Sequence, residues 1–254
     1  MIDTHSHIYS EEFDEDRDLI ISQAKEAGVS KIILPNVDSE SLPRMLRLEA
    51  DYPNYCFSAI GLHPTSVKEN YQEELNLVQS ELERRKYIAI GEVGIDLYWD
   101  KTYLSEQITV FQTQIEWALE YKLPIIIHQR DSFVETMEAL QPFKNRGLKG
   151  VFHSFGGTVE EARQIIDFGG FVMGINGVLT FKNSKLSETI KHFSLENFIL
   201  ETDAPYLTPV PFRGKRNESS YVKYVCEKMA EIYQIDVSEV DKITTNTAEK
   251  LFFS

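Results

Sequence analysis

Histidine and acidic side chains recur at one kind of place in this sequence, directly after short runs of apolar residues. His128 follows the apolar run 125–127, and His153 follows the run 150–152. Five of the six histidines and two carboxylates share this placement: His5, His7, His63, Glu92, His128, His153 and Asp203. Imidazole nitrogens combined with carboxylate oxygens suit zinc, manganese, iron or nickel better than calcium. The pattern therefore predicts a site for divalent metal ions.

The number of candidate ligands favours two ions over one. Residues two apart on a strand share a face, so His5 and His7 can bind the same ion. Six side chains are the strongest candidates: His5, His7, Glu92, His128, His153 and Asp203. Six ligands are too many for one tetrahedral ion with an open position. We expect two divalent ions (Zn, Mg, Mn, Fe or Ni) with one carboxylate bridging them, an arrangement that activates water for hydrolysis.

Each of these motifs is weak when it stands alone. An isolated His-x-His pair is as typical of a structural role as of a metal site. The sequence Gly61-Leu62-His63-Pro64 by itself favours a simple turn. The evidence is that all of these residues follow apolar runs. If the runs are strands of one barrel, the side chains cluster at its end, and such clusters of histidines and carboxylates indicate metal binding or catalysis.

The elements that must position these residues alternate between strands and helices. Helical segments carry apolar residues on one face, as at Phe111, Ile115 and Ala118. Eight β-branched apolar runs predict strands: Ile2–His5, Lys31–Pro35, Cys56–Ile60, Ile88–Gly91, Pro124–His128, Gly150–His153, Phe171–Gly174 and Phe198–Glu201. The alternation predicts a (β/α)8 TIM barrel as one domain over 1–254, with the site at the carboxyl ends of the strands. A Rossmann fold would need a glycine-rich loop after the first strand, where His5-Ser6-His7 stands.

Length and charge agree with this interpretation. The chain has 254 residues, and such barrels have about 250. A net charge of -14 argues against a surface that coats DNA non-specifically, although bound metal ions would still attract a phosphate. The start of the sequence lacks signal-peptide features and no apolar run reaches about 20 residues, so we expect a cytoplasmic protein that does not enter membranes.

The motifs that contain the candidate ligands also carry a family resemblance. They resemble the TatD family of metal-dependent deoxyribonucleases, in order and over essentially the whole chain. The matching segments are 1–7, 61–64, 91–96, 127–130, 153–157, 201–207, 213–218 and 246–252. The resemblance extends to the wider amidohydrolase superfamily, in which a carboxylated lysine often bridges the metals. Here Glu92 occupies that place, because Lys86 precedes the fourth strand and Lys101 lies well after it.

The resemblance implies a role for each ligand. His5, His7 and Asp203 would hold one metal, His128 and His153 the other, and Glu92 would bridge them. Three positions depart from the common family pattern without removing a ligand: Ile95, Ser154 and Ser219.

The function that the resemblance implies is hydrolysis of DNA phosphodiester bonds from a strand end. DNA would be a transient substrate at the barrel mouth, and no obligate protein partner is indicated. Asp203 and Glu92 are the catalytic candidates, with Asp203 taking the proton of the attacking water. Expected substrate contacts are His63, Arg130, Arg213, Arg216 and Asn217, with Tyr98, Trp99 and Tyr206 placed to stack on bases.

Two other functions remain open at this point. The same metal pair could hydrolyse a small ester, lactone or amide, because fold alone does not select the substrate. A metal-storing or scaffold protein could also keep the ligands. Strand parity makes one finer prediction: Glu201 shares the face of Asp203 but lies one layer deeper, where it would orient a ligand histidine.

Overall fold

The computed structural model describes residues 1–254 and contains one eight-stranded parallel sheet whose strands follow each other in chain order. The strands are β1 Ile2–Asp3, β2 Lys31–Pro35, β3 Cys56–Ile60, β4 Ala89–Asp96, β5 Ile125–Arg130, β6 Gly150–Phe152, β7 Phe171–Ile175 and β8 Phe198–Leu200. The order β1 to β8, each strand parallel to the next, confirms the predicted (β/α)8 barrel.

Backbone contacts between the first and last strands close the barrel. The amide of Thr4 donates to the carbonyl of Leu200 at 3.1 Å. Further along, the amide of Asp203 donates to His5 O at 2.9 Å, and Ser6 and Ala204 form a parallel bridge. These contacts bring the segment 3–7 beside the segment 200–204, so ligand candidates from opposite ends of the sequence become neighbours.

Helices cover the outside of the sheet. They are α1 Arg17–Glu26, α2 Leu42–Asp51, α3 Tyr71–Arg84, α4 Leu104–Tyr121, α5 Phe133–Leu140, α6 Val159–Phe168, α7 Leu186–Ile190, α8 Val222–Tyr233 and α9 Val237–Phe252. The predicted apolar face of α4 is buried at Phe111, Ile115 and Ala118. At the start of α6, Thr158 and Glu161 form a reciprocal capping box that satisfies free backbone amides. None of the helices is both long and apolar enough to cross a membrane.

A separate apolar cluster lies beneath the site. It takes one residue from each of seven strands and adds three from α9: Ile2, Ile33, Ala59, Ala89, Ile126, Val151, Ile199, Ala248, Leu251 and Phe252. Three of its members precede functional candidates by two residues, because side chains two apart on a strand share a face. Ile126 lies below His128, Val151 below His153 and Ile199 below Glu201. The ligands therefore stand on a packed apolar floor, and α9 seals its lower side.

The strand boundaries differ from the prediction mainly at β4. We predicted its end at Gly91, whereas the strand continues to Asp96. Glycines at 91 and 94 resemble a strand end in sequence, but neighbouring strands approach closely there. An added Cβ would lie 2.6 Å from Ile126 Cβ at Gly91 and 2.0 Å from the carbonyl oxygen of His128 at Gly94. These glycines therefore permit close strand packing and do not end the strand.

Candidate metal centre

The carboxylate of Glu92 lies at the centre of the barrel mouth. Its Oε2 is 3.1 Å from His5 Nε2 and 3.6 Å from His7 Nε2. Its Oε1 is 2.8 Å from His128 Nδ1 and 3.7 Å from His153 Nε2. Each oxygen therefore faces a different group of imidazoles, because Oε1 is also 3.4 Å from His63 Nε2. A carboxylate whose two oxygens face separate groups of ligands can bridge two ions.

An irregularity in β4 turns Glu92 into the barrel. The register between β4 and β5 shifts between Ile90 and Val93. Ala89 belongs to the inward-facing cluster, so strict alternation would point residue 92 outward. The irregularity reverses this alternation, and Glu92 is only 2% exposed.

Asp203 completes the group around the first two histidines. His5, His7 and Asp203 place one ligand atom each within 4.8 Å of one another. Asp203 Oδ1 lies 3.8 Å from His5 Nε2 and 3.7 Å from His7 Nε2. It also lies 3.7 Å from Nε2 of His153, so this carboxylate reaches both halves of the centre.

Buried carboxylates orient the other two ligand histidines. His128 Nε2 lies 2.8 Å from Asp96 Oδ2, which leaves Nδ1 facing Glu92. His153 Nδ1 lies 3.0 Å from Glu201 Oε1, an ion-pair distance without hydrogen-bond geometry, and its Nε2 faces the centre. Such carboxylate–histidine pairs fix the ring orientation of metal ligands. Glu201 is 1% exposed and lies behind His153, where strand parity predicted it.

The donor set fits divalent cations. His5 Nε2 and His7 Nε2 are 3.2 Å apart, so two lone pairs would repel each other there without a cation or a proton between them. Burial and the neighbouring His153 hold the pKa of His5 well below its ordinary value, which favours the neutral imidazole that a metal requires. The carboxylates favour positive charge in their midst, since against the effect of burial Glu201, Glu92 and Asp203 raise the pKa of His153 to about 10.

His63 lies closer to the predicted ligands than a peripheral substrate contact would. Its Nε2 is 3.3 Å from His128 Nδ1 and 3.4 Å from Glu92 Oε1. It forms a possible metal-binding group with these two residues. Its Nδ1 accepts from the amide of Thr65 at 3.1 Å, so Nε2 carries the proton of the neutral ring and can donate toward the centre.

Three exposed aromatic side chains line the mouth. Trp99 is 70% exposed, Tyr206 57% and Tyr98 52%. The guanidinium of exposed Arg130 lies 3.7 Å from the Tyr98 ring and 5.4 Å from that of Trp99. The backbone amides of Tyr98 and Trp99 donate to Asp96, the partner of His128, which attaches this aromatic pair to the metal centre.

The predicted anion-binding residues after β8 differ from one another. Arg213 is exposed, with its guanidinium 3.7 Å from the ring of Phe181. Arg216 instead forms an ion pair with Asp16 at 2.6 Å and covers the ring of Phe13. Asn217 is fully buried, and its amide donates to two backbone carbonyls within its own loop. The polar groups of Arg216 and Asn217 thus already hold the loop in place, and Arg213 Nη1 also donates to the carbonyl of Thr208 at 3.3 Å. Their contact with substrate stays a prediction.

Comparison with known proteins identifies the family to which the chain belongs. A model of the family described as TatD-related DNase matches residues 2–253. The chain belongs to this family. The TatD homologue YjjV from Escherichia coli K12 has a crystal structure that aligns with a TM-score of 0.92 and 30% identity, covering 100% of this chain and 98% of that one.

Two sequence relatives place this TatD family member among metal-dependent hydrolases. The uncharacterized metal-dependent hydrolase YabD of Bacillus subtilis is 38% identical over 253 residues, covering 99% of this chain and 98% of the relative. The 3'-5' ssDNA/RNA exonuclease TatD of Pectobacterium carotovorum is 28% identical over 258 residues, covering 99% of both chains. The protein is a metal-dependent hydrolase of the TatD family.

Sequence reasoning missed two side chains that touch the ligands of this TatD protein. Asp96 was not among the predicted site residues, although its Oδ2 lies 2.8 Å from His128 Nε2. Tyr9 was not considered, although its hydroxyl lies 2.9 Å from His7 Nδ1. For Asp96 a signal existed, because this carboxylate shares a strand face with Glu92 in the alternation of side chains and can therefore partner a ligand histidine.

Proposed function

We propose that the protein is a nuclease that removes nucleotides from the end of a DNA strand, using two divalent ions. The observation that carries the proposal is the position of Glu92, because its Oε2 faces His5 and His7 whereas its Oε1 faces a different group of imidazoles. His5, His7 and Asp203 would hold one ion, and His128 and His153 the other. Ions bound there would lower the pKa of a water molecule and neutralise charge on the phosphate.

Asp203 is the better of the two carboxylates for accepting the proton of the attacking water. Its side chain is 14% exposed, whereas that of Glu92 is 3% exposed and surrounded by histidines. In the metal-free centre burial raises the pKa of Asp203 to about 6, above the ordinary aspartate value, so this carboxylate has the higher proton affinity of the two. Glu92 holds its negative charge firmly because, against the effect of burial, His5, His63 and His153 keep its pKa well below the ordinary value.

The side chains around the mouth favour a nucleic acid over a small ester. Arg130 and Arg213 offer exposed guanidinium groups that can bind phosphate oxygens. Tyr98, Trp99 and Tyr206 expose aromatic faces on which unpaired bases can stack. Nε2 of His63 can donate to a phosphate oxygen beside Glu92. The exonuclease named among the relatives is consistent with this substrate class.

A reconstitution assay tests the proposal. The protein is stripped with a chelator, reloaded separately with zinc, manganese, magnesium, iron or nickel, and incubated with oligonucleotides labelled at either end. We expect metal-dependent shortening of the strand in single-nucleotide steps, and no shortening by the Asp203→Asn variant purified in parallel. Turnover of esters, lactones or amides by the reloaded protein, without cleavage of any oligonucleotide, would overturn the proposal in favour of a small-molecule hydrolase.

A further inference from the structure

Tyr9 stands two residues after His7, in the segment between β1 and α1, and its side chain is buried with 3% exposure. Its hydroxyl oxygen lies 2.9 Å from His7 Nδ1 and 2.6 Å from the carbonyl oxygen of Pro35. Pro35 is the last residue of β2. The phenol therefore connects a predicted metal ligand to the backbone of the neighbouring strand.

The direction of these two hydrogen bonds follows from the chemistry of the partners. A backbone carbonyl can only accept, so the hydroxyl proton of Tyr9 points to Pro35. The phenol oxygen is then an acceptor toward His7, and Nδ1 of the neutral imidazole must carry the ring proton. The free lone pair is on Nε2.

That nitrogen is the one that faces the centre. His7 Nε2 lies 3.2 Å from His5 Nε2 and 3.7 Å from Asp203 Oδ1. The opposite tautomer would place a proton at Nε2, in the position that a cation has to occupy, and would leave two lone pairs facing each other between Nδ1 and the phenol.

We propose that Tyr9 is a positioning residue that fixes His7 in the Nδ1-protonated form, so that Nε2 is ready to bind metal. The side chain beside His7 is a phenol. The side chains beside His128 and His153 are the carboxylates of Asp96 and Glu201. A neutral phenol orients the ring without adding negative charge to a centre that already contains several buried carboxylates.

His5, the other histidine of the pair, lacks a comparable orienting contact, which makes the contact between Tyr9 and His7 more important. His5 Nδ1 is buried without a hydrogen-bond partner, so no side chain holds the His5 ring from the side away from the centre. Within the His5–His7 pair, Tyr9 is thus the side chain that sets the ring orientation. Loss of a group that orients a metal ligand commonly weakens metal binding about 10–100-fold.

The test compares Tyr9→Phe with the matched control Tyr55→Phe. The hydroxyl of Tyr55 also donates to a backbone carbonyl, that of Val29 at 3.2 Å, but touches no histidine. Metal-free, ¹⁵N-histidine-labelled protein is examined by NMR at about pH 8.5, above the ordinary imidazole pKa. We expect His7 to carry its proton on Nδ1 in the wild type and in Tyr55→Phe, and to become a mixture of tautomers in Tyr9→Phe.

Zinc affinity, measured by competition with a chromogenic chelator, gives the second readout. We expect about a 10–100-fold loss for one of the bound ions in Tyr9→Phe and no change in Tyr55→Phe. Equal affinities in the two variants would overturn the proposal. A proton on His7 Nε2 in the metal-free wild type would also overturn it, and this measurement needs no variant to fold. Neither readout uses a substrate, so both are independent of the proposed nuclease activity.

Discussion

Individual side chains at the barrel mouth fall into those that face the metal centre and those that hold them in place. Asp203 faces the centre, whereas Glu201 lies deeper and contacts the backbone amide of Ser154 at 2.6 Å as well as His153. The two carboxylates are two residues apart yet stand in different surroundings, so their substitution should have different consequences.

Replacing Glu201 should therefore cost less activity than replacing Asp203. Glu201→Gln keeps the side-chain shape but weakens the contacts of this residue with His153 and the Ser154 amide, with an expected loss of about 10–100-fold. Asp203→Asn removes a predicted ligand and the proposed proton acceptor, with a loss on the order of 100–10,000-fold. The measurement is kcat at saturating metal for both variants. Equal losses would contradict the assignment of Glu201 as a supporting residue.

Asp3 predicts a pH dependence of stability. It is fully buried, and burial raises its pKa to about 7 although Thr202 donates two hydrogen bonds to it. The folded state therefore binds a proton that the unfolded chain has lost above about pH 4. The contribution of Asp3 to stability is greatest below about pH 4 and is lost as the pH rises to about 7, with a magnitude on the order of 4 kcal/mol.

Urea unfolding of metal-free protein between pH 4 and 8 measures this effect. The free energy of unfolding should fall with rising pH less steeply in Asp3→Asn than in the wild type. The surface variant Asp51→Asn is the control and should keep the wild-type slope. If Asp3→Asn also keeps that slope, the carboxyl of Asp3 is ionised in the folded protein throughout this range.

The two ends of the barrel have different roles: the candidate metal ligands lie at one end, and the apolar packing that stabilises the fold lies at the other. The ligands lie at the carboxyl ends of the strands, and α9 packs under the opposite side of the inner apolar cluster. Phe252 is 5% exposed in this cluster, whereas Val237 at the start of the same helix is 44% exposed.

Phe252→Ala should destabilise the protein without changing the metal centre. Truncating a buried phenylalanine costs about 3–5 kcal/mol, because apolar contacts are lost and a cavity remains. Val237→Ala should change stability by less than about 0.5 kcal/mol. Thermal unfolding gives the stability, and zinc competition gives the affinity. A large loss of zinc affinity in folded Phe252→Ala would show that the floor and the centre are coupled.

The loop after β8 gives a second prediction for an element, because its two arginines have different surroundings. Arg213→Ala should raise KM for oligonucleotides and reduce the slope of log affinity against log salt by about 1, since an exposed cation that contacts a phosphate is lost. Arg216→Ala should instead lower the melting temperature, because its ion pair with Asp16 and its packing on Phe13 disappear.

The controls for this pair are a small chromogenic phosphodiester and thermal unfolding. Turnover of the small substrate should be nearly unchanged in Arg213→Ala, since the centre itself is intact. A proportional loss on both substrates would mean that Arg213 supports the centre and does not contact the polymer.

On the scale of the whole molecule, the candidate metal ligands come from segments that are far apart in the sequence. The candidate ligands span residues 5 to 203 and come from five strand ends. Bound cations would therefore connect β1, β4, β5, β6 and β8, in a barrel whose first and last strands make few direct contacts. Ligands that bind only the folded state stabilise it by mass action.

Metal removal should therefore lower the melting temperature of the whole barrel in one transition. At a thousandfold excess over the dissociation constant, each ion contributes about 4 kcal/mol. Calorimetry of chelator-treated and zinc-reloaded protein measures this difference, and elemental analysis should give close to two ions per chain. Anomalous scattering that reveals a single fully occupied ion, with none near His128 and His153, would contradict a bridging role for Glu92.

The sequence by itself determined the barrel, the positions of its strands and the set of ligand candidates. It could do so because strand ends in a parallel barrel converge on one mouth, so a histidine after an apolar run is informative without coordinates. His128 and His153 lie at the strand ends where their apolar runs predicted them, and Glu201 lies in the layer that the alternation of side chains predicted.

The tertiary structure alone decided the features that depend on irregular backbone or on distant segments. Glu92 faces inward because of a register shift that alternation cannot foresee, and Asp203 adopts a positive φ of 59° beyond the end of β8. Arg216 looked in sequence like a free cation, but the fold places Asp16 beside it from 200 residues away. Such pairings are invisible in the sequence because chain closure, and not local propensity, brings the two groups together.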